Sequence, residues 1–378
     1  MLTEHFHNTQ KDTGHYSNDL RYVLSLQNTI AAFEEIKTWE GYAKTPLHSL
    51  DSLASDIGVK NIYYKDESSR FGLGSFKALG GTYGVLKFIH HALKKEIGDE
   101  VSMKDIHAGK YSEQISKYTV TTATDGNHGR SVAFGAKLFG CKCQIYIHSE
   151  VSSGRQKAME DLEAMVNRIS GNYDESLQIC IEDAGKNNWY VISDTSYEGY
   201  TKYPRYIMAG YNVMAEEIID QIKDRPLPTH VFLQGGVGSF PGAICGYFWE
   251  KFPGNNIKFI VVESEHAPCL IRSAQNNQMT SVNIKQETMM AGLSCGEPSL
   301  LGWEILKSGA DDFITINDSS IPGLMRLLAK NNLKIEAGES SVAGLAGLIE
   351  SMEDQKIAEA MELDKESIVL LFGTEGAT

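Results

Sequence analysis

The stretch Ser68-Ser69-Arg70-Phe71-Gly72-Leu73-Gly74-Ser75-Phe76-Lys77-Ala78-Leu79-Gly80-Gly81 runs from a polar, glycine-bearing loop into a lysine that heads an apolar, helix-prone run, Ala78 to Ile89. A lysine at such a junction has two readings. Most are solvated surface charges. Alternatively, desolvation or a neighbouring cation lowers the pKa until the side chain is a free amine, able to form a Schiff base with a carbonyl cofactor. The loop alone does not choose between them, so the surrounding chain has to.

Upstream of the loop, residues 61–65 read as a short strand feeding it, residues 31–39 and 47–57 as short helices, and residues 1–20 as an irregular arm. Downstream, the helix begun at Lys77 continues to about Lys95, and the polar residues 98–117 read as a variable insert. Strands then alternate with helices: strand 118–122, helix 129–139, strand 144–148, helix 152–164, strand 165–169, helix 173–186 and strand 189–193. The second half keeps the rhythm with helix 206–223, strand 229–233, helix 238–251 and strand 258–263. Alternation of this kind, with β-branched apolar strands, predicts an α/β chain of parallel sheets covered by helices.

At 378 residues the chain is long enough for about two domains. Residues 86–195 are expected to form a small α/β domain inserted into a larger one made of 1–85 and 196–378. Function is then expected in the cleft between them, at the carboxyl ends of strands. The balance of 35 Lys+Arg against 49 Asp+Glu, a net charge of −14, argues against nucleic acid or an anionic membrane as the main partner. The polar, acidic start Met1-Leu2-Thr3-Glu4-His5-Phe6-His7 lacks the apolar centre of a signal peptide, and no stretch approaches the length of a membrane span. Six cysteines spread over a large chain suit a reduced, cytoplasmic protein. Cys141 and Cys143, two apart at a strand start, fit core packing better than a metal site, and no metal is expected. Cys269 and Cys295 lie in polar, loop-like sequence, where a pair is an open alternative.

Four further stretches carry chemistry. Leu233-Gln234-Gly235-Gly236-Val237-Gly238-Ser239-Phe240 follows a strand and opens a helix, so its N–H groups can converge on an anion; a phosphate fits, and so does a plain tight turn. It is neither a Walker motif nor a dinucleotide fingerprint. In Thr121-Thr122-Ala123-Thr124-Asp125-Gly126-Asn127-His128-Gly129, Asn127 can bond a ligand oxygen, while Asp125 is a carboxylate on a tight turn or simply a helix cap. Asp194 closes a strand in Ser193-Asp194-Thr195-Ser196-Tyr197-Glu198-Gly199-Tyr200, and Thr374 sits in the glycine-framed Phe372-Gly373-Thr374-Glu375-Gly376.

Together and in this order, from about Pro46 onward, these pieces resemble the pyridoxal-phosphate enzymes of fold type II, the tryptophan-synthase-β type. Ser75-Phe76-Lys77 is similar to their Schiff-base lysine motif, and Asp125-Gly126-Asn127-His128-Gly129 to the loop whose Asn lies beside the cofactor 3′-oxygen. Gly235-Gly236-Val237-Gly238-Ser239 is similar to their phosphate loop, and Thr374 falls where they place a hydroxyl against the pyridine nitrogen. Within the group, Asp125 and the run Asp194 to Lys202 resemble the diaminopropionate ammonia-lyases; serine and threonine dehydratases carry a small residue at the position of Asp125. One departure is the carboxyl end, since the chain stops at Thr378 where relatives continue for a further segment.

The resemblance implies pyridoxal 5′-phosphate held on Lys77, with Asn127, Gly235, Gly236, Val237, Gly238, Ser239 and Thr374 around it. It implies α,β-elimination of 2,3-diaminopropionate to pyruvate and two ammonia. Lys77 is then the base for the L-isomer and Asp125 for the D-isomer, and Asp194 binds the substrate's 3-ammonium group. It also implies a homodimer. Three other readings remain at this stage: a serine or threonine dehydratase of the same fold, a non-catalytic amino-acid sensor, and a nucleotide-dependent oxidoreductase.

Overall fold

The computed structural model describes residues 2–377 apart from 13, 99, 125, 172, 331 and 333. Its strands are β1 (Leu2–His7), β2 (Leu47–Ser49), β3 (Asn61–Asp66), β4 (Thr119–Ala123), β5 (Lys142–Ile147), β6 (Met165–Arg168), β7 (Tyr190–Val191), β8 (His230–Gln234), β9 (Lys258–Ser264), β10 (Asp312–Ile316) and β11 (Ile368–Gly373). The chain divides into two compact units. One comprises residues 1–76, 195–199 and 211–378; the other comprises 77–194 and 200–210.

The larger unit holds a seven-stranded sheet in the order β1-β10-β9-β8-β11-β3-β2. Its inner pairs are parallel, and only the two edge strands run antiparallel, β1 on β10 and β2 on β3. β8, β10 and β11 are buried along their whole length, as expected of parallel strands covered on both faces. Phe232, Val262, Ile314, Leu345 and Leu371 are among the core residues around them. The smaller unit holds a four-stranded parallel sheet in the order β6-β5-β4-β7. Every residue group singled out for chemistry follows the carboxyl end of a strand: Lys77 comes after β3, Asn127 after β4, Asp194 after β7, Gly235 after β8 and Thr374 after β11. That is the end at which open α/β sheets bind ligands.

Several elements differ from the sequence expectation. Residues 47–57 are not one helix: Leu47–Ser49 pairs with β3, and the helix is Asp51–Ile57. The start of the chain is not an irregular arm, because Leu2–His7 adds a strand to β10. The long helix expected at 206–223 is two, Lys202–Tyr211 and Val213–Gln221, broken at Asn212, whose side-chain amide donates to Thr29 Oγ1 at 3.0 Å. Within 98–117 the described residues form short helices at Met103–His107 and Ser112–Ile115. Cys269 and Cys295 do not pair; Cys269 opens the helix Cys269–Asn276 and points its thiol at Gly236 O, 3.6 Å away.

A buried charge cluster fixes the loop that leads to Lys77. The Lys65, Glu67, Arg70 and Glu217 side chains have no exposed surface, and their two positive and two negative charges balance. Glu217 Oε2 accepts from Lys65 Nζ at 2.7 Å and from Arg70 Nη2 at 2.8 Å, while Arg70 Nε donates to Glu67 Oε2 at 2.7 Å. Removing one member of such a set strands a charge in the interior, at a cost of about 3–5 kcal/mol. The cluster therefore pins Arg70, in the middle of the opening loop, to the helix Val213–Gln221. Burial pushes the Glu217 carboxyl up, but Arg70 and Lys65 more than offset this and hold it below the usual carboxylate range. The sign follows: this stabilisation is present above the ordinary carboxylate pKa and is lost as pH falls through the lowered one. No helix among the described residues is long and apolar enough to cross a membrane.

Candidate active site

In the larger unit, the opening loop turns where its glycines allow it. Gly72 and Gly74 sit at φ 69° and 71°, the left-handed region in which a side chain is strained. The turn lays the loop along the end of β11. Glu67 N donates to Gly373 O at 2.8 Å, Phe76 N to Thr374 O at 3.1 Å, and Gly376 N to Gly74 O at 2.9 Å. Thr374, 4% exposed, is thus tied through its carbonyl to the residue before Lys77, although about three hundred residues separate them in sequence. The Phe76 ring packs on Tyr211 at 4.7 Å and on Phe240 at 4.9 Å between centroids, and Phe240 in turn meets Phe372 at 5.3 Å.

Phe240 is the second residue of the helix Ser239–Lys251, which the glycine loop introduces. Gly236 and Gly238 have φ of 56° and 97°, and Gly238 caps the helix without any side-chain hydrogen bond to its first N–H groups. A Cβ on Gly235 would lie 2.5 Å from Glu263 Cγ. That side chain cannot swing away cheaply, because Glu263 Oε1 and Oε2 accept from Leu270 N at 2.8 Å and Ile271 N at 2.7 Å. The loop is therefore a bare-backbone cradle at a helix start, the geometry that suits a phosphate. Gln234, the last residue of β8, steadies it: Nε2 donates to Phe372 O at 2.6 Å and to Ser340 O at 3.2 Å.

In the smaller unit, Lys77 opens the helix Lys77–Ile97, and its carbonyl accepts from Ser131 Oγ at 2.6 Å. Its ammonium forms an ion pair and hydrogen bond with Asp194 Oδ2. Asp194 is placed by the short strand β7 and by Tyr200, whose hydroxyl donates to Val191 O at 2.9 Å and accepts from Ser193 N at 3.0 Å. Burial alone raises the Asp194 pKa, but His128 and Lys77 outweigh it, so the carboxyl lies well below the usual range and is ionised. His128 lies beside this pair, its Nδ1 3.7 Å from Asp194 Oδ2. Asn127 is the first residue of the helix Asn127–Phe139. Asp125 lies outside the described residues. Its neighbour Thr124 caps the turn, Oγ1 accepting from Gly126 N and Gly129 N, each at 3.1 Å.

The structure thus gathers Lys77 and Asp194, with Asn127 near the start of the same helix as His128, in one unit. It gathers the glycine loop and Thr374 in the other. Sequence reasoning assigned no task to His128, Thr124 or Gln234. Only their places inside chemically marked motifs pointed to them.

Comparison with known proteins decides the family. A family model described as pyridoxal-phosphate dependent enzyme matches residues 38–373. Diaminopropionate ammonia-lyase of Escherichia coli (strain K12) is 38% identical over 346 residues, which cover 89% of this chain and 85% of that protein. The chain belongs to the pyridoxal-phosphate dependent enzymes, in the diaminopropionate ammonia-lyase family. Among solved structures, the family is matched by diaminopropionate ammonia-lyase from Escherichia coli in complex with an aminoacrylate-PLP azomethine reaction intermediate. The TM-score is 0.88 at 35% identity, covering 100% of this chain and 94% of that one. The same enzyme in complex with D-serine matches with a TM-score of 0.87 at 35% identity, covering 99% and 93%. The fold is fold type II, and the cofactor of this ammonia-lyase family is pyridoxal phosphate. The residues present suit that cofactor: a lysine already engaged with a partly buried carboxylate, a glycine cradle that a Cβ at Gly235 would fill, and a buried threonine bonded to the segment before the lysine.

Proposed function

We propose that the chain eliminates ammonia from 2,3-diaminopropionate, giving pyruvate and two ammonia with the uptake of one water. One observation carries this reading: the Lys77 ammonium rests on the ionised Asp194 carboxylate. Asp194 is therefore built to receive an alkylammonium group. When Lys77 is committed to the cofactor, the 3-ammonium group of the substrate takes the same place. A serine or threonine hydroxyl brings no charge to the carboxylate and gains none of this ion-pair energy.

Bound pyridoxal phosphate supplies the electron sink that makes the substrate C2 proton removable. The chain's own groups do the rest. Lys77 holds the cofactor, and its freed Nζ takes the C2 proton of the L-isomer; Asp125 takes that of the D-isomer. Gly235, Gly236, Val237, Gly238 and Ser239 would bind the phosphate through backbone N–H groups, and Asn127 and Thr374 would offer their side chains to the ring oxygen and ring nitrogen. Asp194 holds the 3-ammonium group while the C3–N bond breaks. The bond pair leaves with nitrogen as neutral ammonia, and hydrolysis of the unsaturated product gives pyruvate and the second ammonia. The reading includes a homodimer, supported by the family resemblance, and a place in the cytoplasm, supported by six cysteines spread over a large chain.

The test is Asp194→Asn. With the charge partner gone, kcat/KM for diaminopropionate should fall by about 100-fold. The value for serine, which brings no second ammonium, should fall far less, so that the preference between the two collapses. Equal losses on both substrates would mean that Asp194 does not read the 3-ammonium group.

A further inference from the structure

His128 is 5% exposed and sits at the heart of the smaller unit. Its Nε2 lies 2.8 Å from the carbonyl oxygen of Ile192, so that nitrogen carries the hydrogen and donates it. The tautomer leaves Nδ1 as a bare acceptor. This atom is buried, has no hydrogen-bond partner among the described residues, and faces Asp194 Oδ2 at 3.7 Å. A buried acceptor set against a partly buried carboxylate is unfavourable unless a proton comes between them or a nearby cation neutralises the pair. The cation is present here, because Lys77 Nζ bonds the same Oδ2. Lys77, Asp194 and His128 therefore share one carboxylate oxygen.

We propose that His128 is the positioning residue of Asp194: Nδ1 takes up a proton when the carboxylate loses its cation, bonds the carboxylate, and gives the proton up when a cation returns. The proposal rests on the reading of Asp194 as the site of the substrate's 3-ammonium group. The proton comes from solvent water when Lys77 Nζ is committed to the cofactor and no longer offers its ammonium to Oδ2. It returns to solvent when the 3-ammonium group of the substrate arrives. Asp194 thus stays ionised and in place in both states, and its carboxylate always has a charge partner.

The electrostatics agree in sign. Burial lowers the proton affinity of His128, Asp194 raises it, the Lys77 ammonium lowers it, and the balance lies below the ordinary histidine value. Among the described residues, these two side chains and the Ile192 carbonyl are the groups that act on it. Among the described residues, removing the Lys77 charge leaves burial to oppose Asp194, so the titration midpoint of His128 moves up.

The experiment follows the Cε1 signal of His128 by NMR in cofactor-free protein labelled with [13Cε1]histidine, the signal being assigned by its loss in His128→Gln. In the unsubstituted protein His128 should stay neutral to below the ordinary histidine pKa. In cofactor-free Lys77→Met its midpoint should rise by about one pH unit or more, a tenfold gain in proton affinity. The same midpoint in both proteins would overturn the proposal. Should Lys77→Met fail to fold, the unsubstituted protein with and without pyridoxal phosphate gives the same comparison, with the higher midpoint expected in the holoenzyme and an unchanged one contradicting the proposal. Because the first comparison needs no substrate or cofactor, its failure leaves the reading of the 3-ammonium site to be judged by the Asp194→Asn assay alone.

Discussion

Lys77→Ala should purify as a folded protein that takes up no covalently held cofactor, and its release of pyruvate should fall by about 10⁴-fold or more, since both the anchoring amine and the base for the L-isomer are removed. Two readouts check it. The unsubstituted holoenzyme should show the visible band of a lysine-bound cofactor, and borohydride should fix that cofactor to Lys77; the variant should show neither. The fold should survive. The opening loop is held by the buried Lys65, Glu67, Arg70 and Glu217 cluster and by backbone bonds to Gly373, Thr374 and Gly376, none of which uses the Lys77 side chain. Retained turnover in Lys77→Ala, or borohydride labelling at another lysine, would remove this residue from the chemistry.

Asp125→Asn should separate the two substrate hands. Turnover of D-2,3-diaminopropionate should drop by about 10²–10⁴-fold, the usual worth of a positioned general base, while the L-isomer keeps most of its rate through Lys77. The alternative role for Asp125, a helix cap, predicts instead a loss of stability with equal losses on both isomers. In the same turn Thr124 Oγ1 accepts from the N–H groups of Gly126 and Gly129. Steady-state rates on the two isomers, measured with the same preparation, make the comparison.

The parts of this account that were legible in the sequence are those written in local pattern. Alternating apolar strands and helices announced the parallel sheets, and the glycines at 235, 236 and 238 announced a tight turn opening a helix, because both signals lie within a few residues of one another. What the sequence could not show were contacts between distant segments. The strand Leu2–His7 has little apolar alternation of its own and exists because β10 offers it an edge. Leu47–Ser49 was absorbed into a helix for the same reason, its partner β3 being the signal that local propensity lacks. The break at Asn212 interrupts an amphipathic pattern that runs through it unchanged, and there the side chain bonds the distant Thr29.

The site shows the same division. Lys77, Asp194 and Thr374 were each marked by their motifs. That Lys77 and Asp194 meet across 117 positions of sequence, or that the Thr374 carbonyl holds the Phe76 N–H, depends on the sheets. His128 was the least legible of all. Its task is set by the Ile192 carbonyl and the Asp194 carboxylate, neither of which its own neighbourhood in sequence reveals.

The most direct test of the central claim is the release of pyruvate and ammonia by the holoenzyme from D- and L-2,3-diaminopropionate, with D- and L-serine as comparators. The account predicts two ammonia for each pyruvate from diaminopropionate, and a kcat/KM for serine lower by about 100-fold because its hydroxyl cannot replace the 3-ammonium group on Asp194. Serine turned over faster than either diaminopropionate isomer, or no pyruvate from either isomer, would contradict it.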